Sequence, residues 1–396
     1  MSVYRIVKSA EESDFYNLTL YAFNRADTAQ RQKFFKKLFE NSYAYGAFDQ
    51  DHIQSGFLSI PFVSQLGIDR FKTCGISYVS SLPESSGKGH ITKLMGKMFE
   101  DMDDEGFDVS YLAPFSFPFY RRFGYEEVFD RASYHVQNID LPKFKMPEHI
   151  MSPELRIKRY PLSEGLQYIK SFHNAHPFSH SGGILRNNWW SEYLVLKHTW
   201  EIAICFKNER ICGYVIFTRN QNTNFVVNEL FYDSNPALFK LLSFIGQYRT
   251  AYKYFDYVSG DPRPKMDIFP DPHEKKTLTV SIKPYMMARI INLQRFLTNY
   301  HVSEDINDQF LIKIVDQFIE KNNKVWEIEI NNGIISINSS FETSYDCVIS
   351  IQRLTQILFG YKKPSEIFDW DLNGSAINHL NNLSKKNLVP MLWDYF

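Results

Sequence analysis

The sequence predicts a multi-domain chain of the α+β or α/β class, and three observations carry that expectation. Residues 74–113 read as strand, glycine-containing loop, amphipathic helix and strand, a βαβ-like unit. Residues 155–260 repeat this alternation more weakly, without a glycine-rich loop after the longest strand. From residue 285 the pattern changes to alternating strands around an Asn-Asn-Gly turn, with helices on either side. At roughly 100–200 residues per domain, 396 residues suggest two to three domains. Apolar residues make up 44% and charged residues 22%, ordinary globular usage, which excludes disorder as the default. A net charge of -1 gives no electrostatic footprint for nucleic acid or an anionic membrane, so neither is expected as a partner.

In order along the chain, VYRIV (3–7) predicts a strand, followed by a helix capped at Ser9 with Glu12 three residues on. GAFDQDHIQSGFLSIPFVSQL predicts two strands around a polar turn, with Phe57, Ile60 and Phe62 as core positions. CGISYVSSL predicts a strand with Ile76, Tyr78 and Ser80 on one face and Ser77, Val79 and Ser81 on the other. Ile91, Leu94, Met95, Met98, Phe99 and Met102 then form one helical stripe, and Gly106 ends that helix before the strand DVSYLAP. SFPFYRRFGYEEV predicts a short helix and a turn at Gly124, and the segment to Ile139 a strand. Residues 141–153 are proline-rich and unpatterned, as in a linker. Beyond them come a strand and helix (155–176), three strands with turns at KNER and NQNT, the helix NPALFKLLSFIGQYR and the strand YFDYVSGDP. The last block contains a strand and helix from Lys283, two strands around the Asn-Asn-Gly turn, two more helices and an extended end, MLWDYF.

The four cysteines show no zinc spacing, and Cys205 and Cys212 suit small core residues. His173, His176 and His180 are interrupted by Pro177, which predicts a loop without metal. Trp189 and Trp190 suit a core, and Asp103, Asp104 and Glu105 a solvated helix end. The first residues lack the apolar stretch of a secretory signal, and no run approaches the ~20 apolar residues of a membrane helix, so a cytoplasmic location is expected.

The stretch SSLPESSGKGHITKLM is the candidate for chemistry. A glycine loop between strand and helix presents backbone N–H groups at a helix start, an arrangement that binds phosphate. It is not a P-loop, because Leu82 and Gly89 stand where glycine and Ser/Thr are needed, and the dinucleotide pattern GxGxxG is absent. The six residues Ser86, Gly87, Lys88, Gly89, His90 and Ile91 resemble the Q/R-x-x-G-x-G/A loop of the Gcn5-related N-acetyltransferases (GNAT), with Ser86 and Ile91 departing from it. Phe119-Tyr120-Arg121-Arg122-Phe123-Gly124-Tyr125 is similar to that fold's F-Y-x-x-x-G-F/Y segment. The whole-chain plan resembles the enhanced-intracellular-survival (Eis) type of this family.

The resemblance implies two GNAT-like mixed sheets flanked by helices, plus a C-terminal sterol-carrier-like α+β domain. The implied domains are a catalytic one at 1–145, a degenerate GNAT-like one at 150–284 and the sterol-carrier-like one at 285–396, whose C-terminus returns to the first domain's active site. Acetyl-CoA is the implied co-substrate, with no metal. Val79, Ser80 and Ser81 would line its pantetheine arm. Gly87, Lys88, Gly89, His90, Ile91 and Thr92 would hold its pyrophosphate, and Phe115 and Ser116 would lie beside it. Tyr120 matches the general acid and the Phe396 carboxylate the general base. The family also implies a homo-oligomer, a hexamer.

That chemistry is coherent on its own terms. A primary amine is mostly ammonium at pH 7, with a reference pKa of about 10.4, so it must lose a proton to attack, and a fixed carboxylate, directly or through a water, can accept it. The departing thiolate needs a proton that a tyrosine can give, and a backbone N–H near Val79 would hold the oxyanion. The expected function is therefore acetyl transfer to a small primary amine such as an aminoglycoside, polyamine or lysine-like group. The alternatives are a non-catalytic CoA or lipid carrier and an N-acyltransferase using a longer acyl chain. On the bland reading MLWDYF is a last strand packed on a core. His90 suits a solvated helix start better than a cofactor contact. Asp394 suits either attraction of a cationic amine or a plain surface position.

Overall fold

The computed structural model describes residues 2–144, 154–219, 223–269 and 276–396. It divides into two compact units: Met1–Phe129 with Tyr285–Pro390 and Asp394–Phe396, and Asp130–Pro284 with Met391–Trp393. Each unit is assembled from segments distant in the chain.

The first unit begins with β1 (Val3–Ile6), α1 (Glu12–Ala22), α2 (Ala29–Phe39), β2 (Tyr43–Asp49), β3 (His52–Leu66), β4 (Asp69–Ser81), α3 (His90–Asp104), β5 (Val109–Leu112), α4 (Phe117–Arg121) and the start of β6 (Glu126–Gln137). The helix expected from Ser9 opens instead with a 3-10 turn at Ser9–Glu11, and Glu11 rather than Glu12 reaches back to the Lys8 N–H at 2.8 Å. Arg5 holds Glu11 there and keeps its carboxyl at about 2. Helix α2 is not anticipated from the sequence. Its Lys- and Gln-rich stretch hides a buried Phe35, Leu38 and Phe39, and Thr28 caps it by accepting from the Arg31 N–H. Strands β1 to β4 are antiparallel neighbours in chain order, and β5 returns parallel to β4 after α3. The predicted stripe of α3 is buried from Leu94 to Met102, against Ile76, Tyr120 and Tyr125. Each such side chain leaves water with a gain of roughly 1.5–3 kcal/mol.

The second unit continues β6 and adds β7 (Leu155–Tyr160), α5 (Leu162–Ala175), β8 (Ser181–Ile184), α6 (Asn188–Lys197), β9 (Glu201–Lys207), β10 (Arg210–Arg219), β11 (Asn224–Tyr232), α7 (Asn235–Gly246), β12 (Tyr254–Ser259) and the start of β13 (Thr279–Ile290). Its strand order is β6-β12-β11-β10-β9-β7, with only β11 and β12 parallel among these neighbours. Cys205 and Cys212 lie in its core. His173 is helical rather than in a loop, fully packed, with Nδ1 2.7 Å from the Tyr214 hydroxyl. His176 and His180 contact the carbonyls of Tyr232 and Asn174. Trp190 is buried as expected. Most of the expected linker (145–153) and most of the NQNT turn (220–222) lie outside the described residues.

The first unit resumes with the end of β13, which pairs antiparallel with β5, then α8 (Leu293–Thr298), β14 (Asp308–Val315), β15 (Val325–Asn331), β16 (Ile334–Ser340), β17 (Cys347–Ser350), α9 (Ile351–Leu358) and α10 (Gly374–Asn382). A second sheet runs β16-β15-β14-β17. Asn332 and Gly333, both at positive φ, make the two-residue turn that the sequence predicts. Of the acids at the end of α3, Asp104 and Glu105 are exposed as expected, but Asp103 accepts from Asn292, Arg295 and Lys321 at 2.7–2.9 Å. Burial opposes its charge, but these donors outweigh burial and hold its carboxyl below the usual range.

Arg289, on β13, is completely buried beside Asp316 at 2.6 Å and donates to the Phe123 carbonyl. It fills the space a side chain at Gly124 would need. Asp316 also accepts from the Phe318 and Ile319 N–H groups and from Asn322. Asp316→Asn is expected to cost about 3–5 kcal/mol, because it strands a buried cation, and to lower the urea unfolding midpoint. Replacing both partners (Arg289→Met with Asp316→Leu) should cost less than Asp316→Asn alone.

Candidate active site

Strand β4 carries a defect that alternation did not predict. Ser77 pairs with Leu58 and Ser80 with Gly56, so Tyr78 and Val79 stand opposite Phe57 alone. This is a β-bulge, with Tyr78 at φ 53°. A non-glycine residue rarely adopts that conformation unless its surroundings enforce it. Phe23 and Phe35 do so, each meeting the Tyr78 ring edge-on at 5.8 and 5.4 Å. The bulge also swaps faces: Val79 packs on the same cluster as Ile76, not opposite it.

The parallel ladder between β4 and β5 ends at Ile76 and Leu112, whereas β4 runs on to Ser81. Pro114 then leaves the sheet without an N–H to offer. Residues 77–81 therefore present an edge to which an extended amide-bearing chain can add. The loop 82–89 is fastened by the Leu82 N–H to the Gln54 carbonyl (2.9 Å) and by the Ser85 hydroxyl to Gln54 (2.7 Å). Beyond it Ser86, Gly87, Lys88 and Gly89 are exposed. Gly87 and Gly89 take φ of 76° and 77°, and a Cβ at either would meet nothing within 4 Å. Backbone conformation rather than crowding requires the two glycines.

Gly89 caps α3 without a side-chain acceptor, so the N–H groups of His90, Ile91 and Thr92 have no intrahelical partner. That is an anion-binding helix start. The His90 side chain, expected in solvent, is instead buried, with Nδ1 3.0 Å from the Tyr4 hydroxyl. Burial, with Lys88 and Lys93 nearby, lowers its pKa. With Nδ1 on Tyr4, the backbone N–H is what His90 offers at the helix start. In the second unit the equivalent connection from β11 to α7 is only Asp233 and Ser234, and Pro236 removes an N–H from the first turn. No comparable cradle exists there.

The short α4 presents Tyr120. Ser116 is spent as its cap, accepting from the Phe119 N–H at 3.4 Å, while Phe115 is exposed with its ring 5.3 Å from that of Tyr120. Tyr120 is 1% exposed, and burial alone pushes its hydroxyl well above the usual tyrosine range. Among the described residues its hydroxyl has no hydrogen-bond partner. Tyr125, by contrast, has its hydroxyl on Ser110 at 2.6 Å and is structural.

The chain end is anchored residue by residue. In the second unit the Met391 N–H donates to Ser181 and Arg131 donates to the Trp393 carbonyl. In the first, the Tyr285 hydroxyl donates to the Asp394 carbonyl at 2.5 Å. Asp394, a candidate surface carboxylate, is buried, and Tyr395 is half exposed beside Tyr285. Phe396 is 4% exposed, its ring 5.2 Å from that of Phe62 and pressed on Gly75. Gly75 is one residue before the point where β4 and β5 part. Neither Gly75 nor Phe62 stands out in the sequence as part of the site. A Cβ at Gly75 would lie 2.7 Å from the Phe396 ring. Gly75→Ala is therefore expected to expel the chain end, seen as faster carboxypeptidase trimming and reduced turnover.

Among the described residues no cluster of His, Cys, Asp and Glu is placed to hold a metal, and no helix is long and apolar enough to cross a membrane. Residues 3–128 and 182–290 match acetyltransferase (GNAT) domain families, and residues 293–385 match a sterol carrier protein domain. No curated protein gave a significant sequence match. A structure from Enterococcus faecalis V583, described as a conserved protein of unknown function and probable N-acyltransferase, shares 30% identity over 100% of both chains, with a TM-score of 0.92. A GCN5-related N-acetyltransferase from Anabaena variabilis (16% identity, 100% of both chains, TM-score 0.86) has the same fold. So does Eis1 from Mycobacterium abscessus (16%, 100% of both chains, 0.76). An open strand edge, an uncapped glycine-led helix start and these matches agree that the chain belongs to the GNAT acetyltransferases, with two GNAT domains followed by a sterol carrier protein domain.

Proposed function

We propose that this chain is an Eis-type N-acetyltransferase that acetylates a small primary amine in the cytoplasm, as a homo-oligomer (a hexamer, by analogy with the family). The catalytic domain would span 1–145, the degenerate domain 150–284 and the sterol-carrier-like domain 285–396. The observation that carries the reading is the burial of Phe396 against Gly75, where β4 and β5 part. It supports a last carboxylate held beside the open strand edge.

Acetyl-CoA, when bound, supplies the acetyl group as an activated thioester. The residues present suit it: Val79, Ser80 and Ser81 would bind its amide-bearing arm along the free edge. The open N–H groups around Gly87, Gly89, His90, Ile91 and Thr92, with Lys88 in reach of solvent, would hold its pyrophosphate. Ser116, already used as a cap, would contribute backbone only, as would Phe115. The Phe396 carboxylate would take the proton of the acceptor ammonium, and Tyr120 would give a proton to the departing sulfur. The bulge interrupts the β3 pairing at Tyr78 and Val79, and a backbone N–H near Val79 would hold the developing oxyanion.

A longer acyl donor is the second reading, favoured by the relative described as a probable N-acyltransferase. The deciding experiment incubates the protein with acetyl-CoA or longer acyl-CoAs and a panel of polyamines, aminoglycosides and lysine peptides, following CoA release and product mass. Turnover with acetyl-CoA and a primary amine is expected. CoA binding without turnover on any amine would leave only the carrier reading.

A further inference from the structure

The second unit holds a cavity of about 90 Å³ beneath α7, lined by no residue assigned a catalytic role above. Its wall is apolar, built by Val136, Phe144, Leu238, Leu242, Ile245 and Phe255. Such space is unfavourable if left empty, because lining atoms lose dispersion contacts, and an apolar chain restores them. Trp393 completes the wall; among the described residues its buried indole N–H has no hydrogen-bond partner.

Among the described residues that line the cavity, two carboxylates and one arginine are engaged by side-chain partners, and one ammonium has no ion pair. Asp261 is taken by Arg263, which grips both carboxylate oxygens at 2.9 and 3.0 Å. Asp256 is taken by His135 and Asn224, both at 2.6 Å. Lys265 makes no ion pair among the described residues. Its ammonium donates to the Tyr232 hydroxyl and lies 5.3 and 4.9 Å from the ring centres of Phe178 and Tyr232. An apolar cavity with an ammonium that has no ion pair among the described residues suits a ligand with an apolar chain and one negative charge. A dianionic phosphate would call for a bidentate arginine or an open helix start. Arg263 is already committed, and Pro236 blocks the first turn of α7.

We propose that the second GNAT-like domain is a binding site for a fatty carboxylate, its chain under α7 and its head on Lys265. The test is calorimetry on the full-length protein with a carboxylate series from hexanoate to myristate, each below its micellar concentration. Dodecylamine and dodecanol serve as head-group controls. Affinity is expected to rise with chain length, about fourfold per added methylene while the chain fits. Laurate should bind at least tenfold more tightly than dodecylamine. Lys265→Gln should remove that preference, and Leu242→Trp should abolish binding by filling the cavity. Lys265 is half-buried at the rim, so its variant tests the head-group claim even if Leu242→Trp fails to fold. No carboxylate binding, equal binding of the amine, or binding unchanged in Lys265→Gln overturns the proposal. The last outcome would place the site elsewhere, such as the sterol carrier domain. Acyl transfer plays no part in the readout, so this result stands apart from the fate of the proposed reaction.

Discussion

Tyr120→Phe is expected to lower kcat by about 10²–10⁴-fold, the range for removing a positioned proton donor, with little change in KM for acetyl-CoA. The substitution is unusually clean. The phenyl ring keeps its packing against Phe115, Phe119 and Tyr125. The hydroxyl has no partner among the described residues, so removing it strands no donor or acceptor. The urea midpoint should therefore stay where it is, and a fall in rate cannot be ascribed to unfolding. A core tyrosine would show the reverse pattern, with an intact rate. The protonation state adds a second check. Burial pushes the Tyr120 hydroxyl well above its ordinary value, and a proton donor works only while protonated. The wild-type rate should then show no loss near pH 10 from this group, whereas a solvent-exposed tyrosine donor would begin to fail there. Turnover in Tyr120→Phe within twofold of wild type would remove Tyr120 from the reaction.

What the sequence made legible, and what it did not, follows from the range of the interactions involved. The α3 stripe, the two-residue turn at Asn332–Gly333 and the glycines of the 86–91 loop are local signals, and the structure realises them. The bulge at Tyr78 is not local. It exists because aromatic rings from α1's C-terminus and α2, Phe23 and Phe35, clamp a residue whose own propensity is for regular strand. Periodicity therefore put Val79 on the wrong face. His90 and Asp103 were misplaced for the same reason. A polar residue at a helix end is solvated by default, and only a distant partner, Tyr4 in one case and Arg295 in the other, draws it in. The composition of the first unit is likewise invisible locally. Residues 285–390 group with 1–129 because β13 pairs with β5 at positions far apart in the chain, from Met287 with Leu112 to Ile290 with Val109.

Appending two residues after Phe396 is expected to reduce kcat/KM by about 10²–10⁴-fold, because it converts the terminal carboxylate to an amide that cannot accept a proton. An α-carboxyl has a reference pKa of about 3.3–3.7, and an acceptor ammonium near 10.4 must pass its proton to something. The Phe396 ring is wedged between Phe62 and Gly75. On the proposed reading the ring, not only the chain length, would position the carboxylate. Ring and charge can therefore be separated. The extended chain keeps the ring and loses the charge. Phe396→Ala keeps the charge and loses the ring; truncation of a buried phenylalanine costs about 3–5 kcal/mol, which here appears as release of the chain end. Phe396→Leu keeps the charge and most of the apolar contact, and should retain most of the activity. If the carboxylate is the base, the first two variants fail alike while only Phe396→Ala becomes prone to carboxypeptidase trimming to the degree expected for Gly75→Ala. If the extended protein turns over unimpaired, the wedge of Phe396 serves the fold alone and the base lies elsewhere.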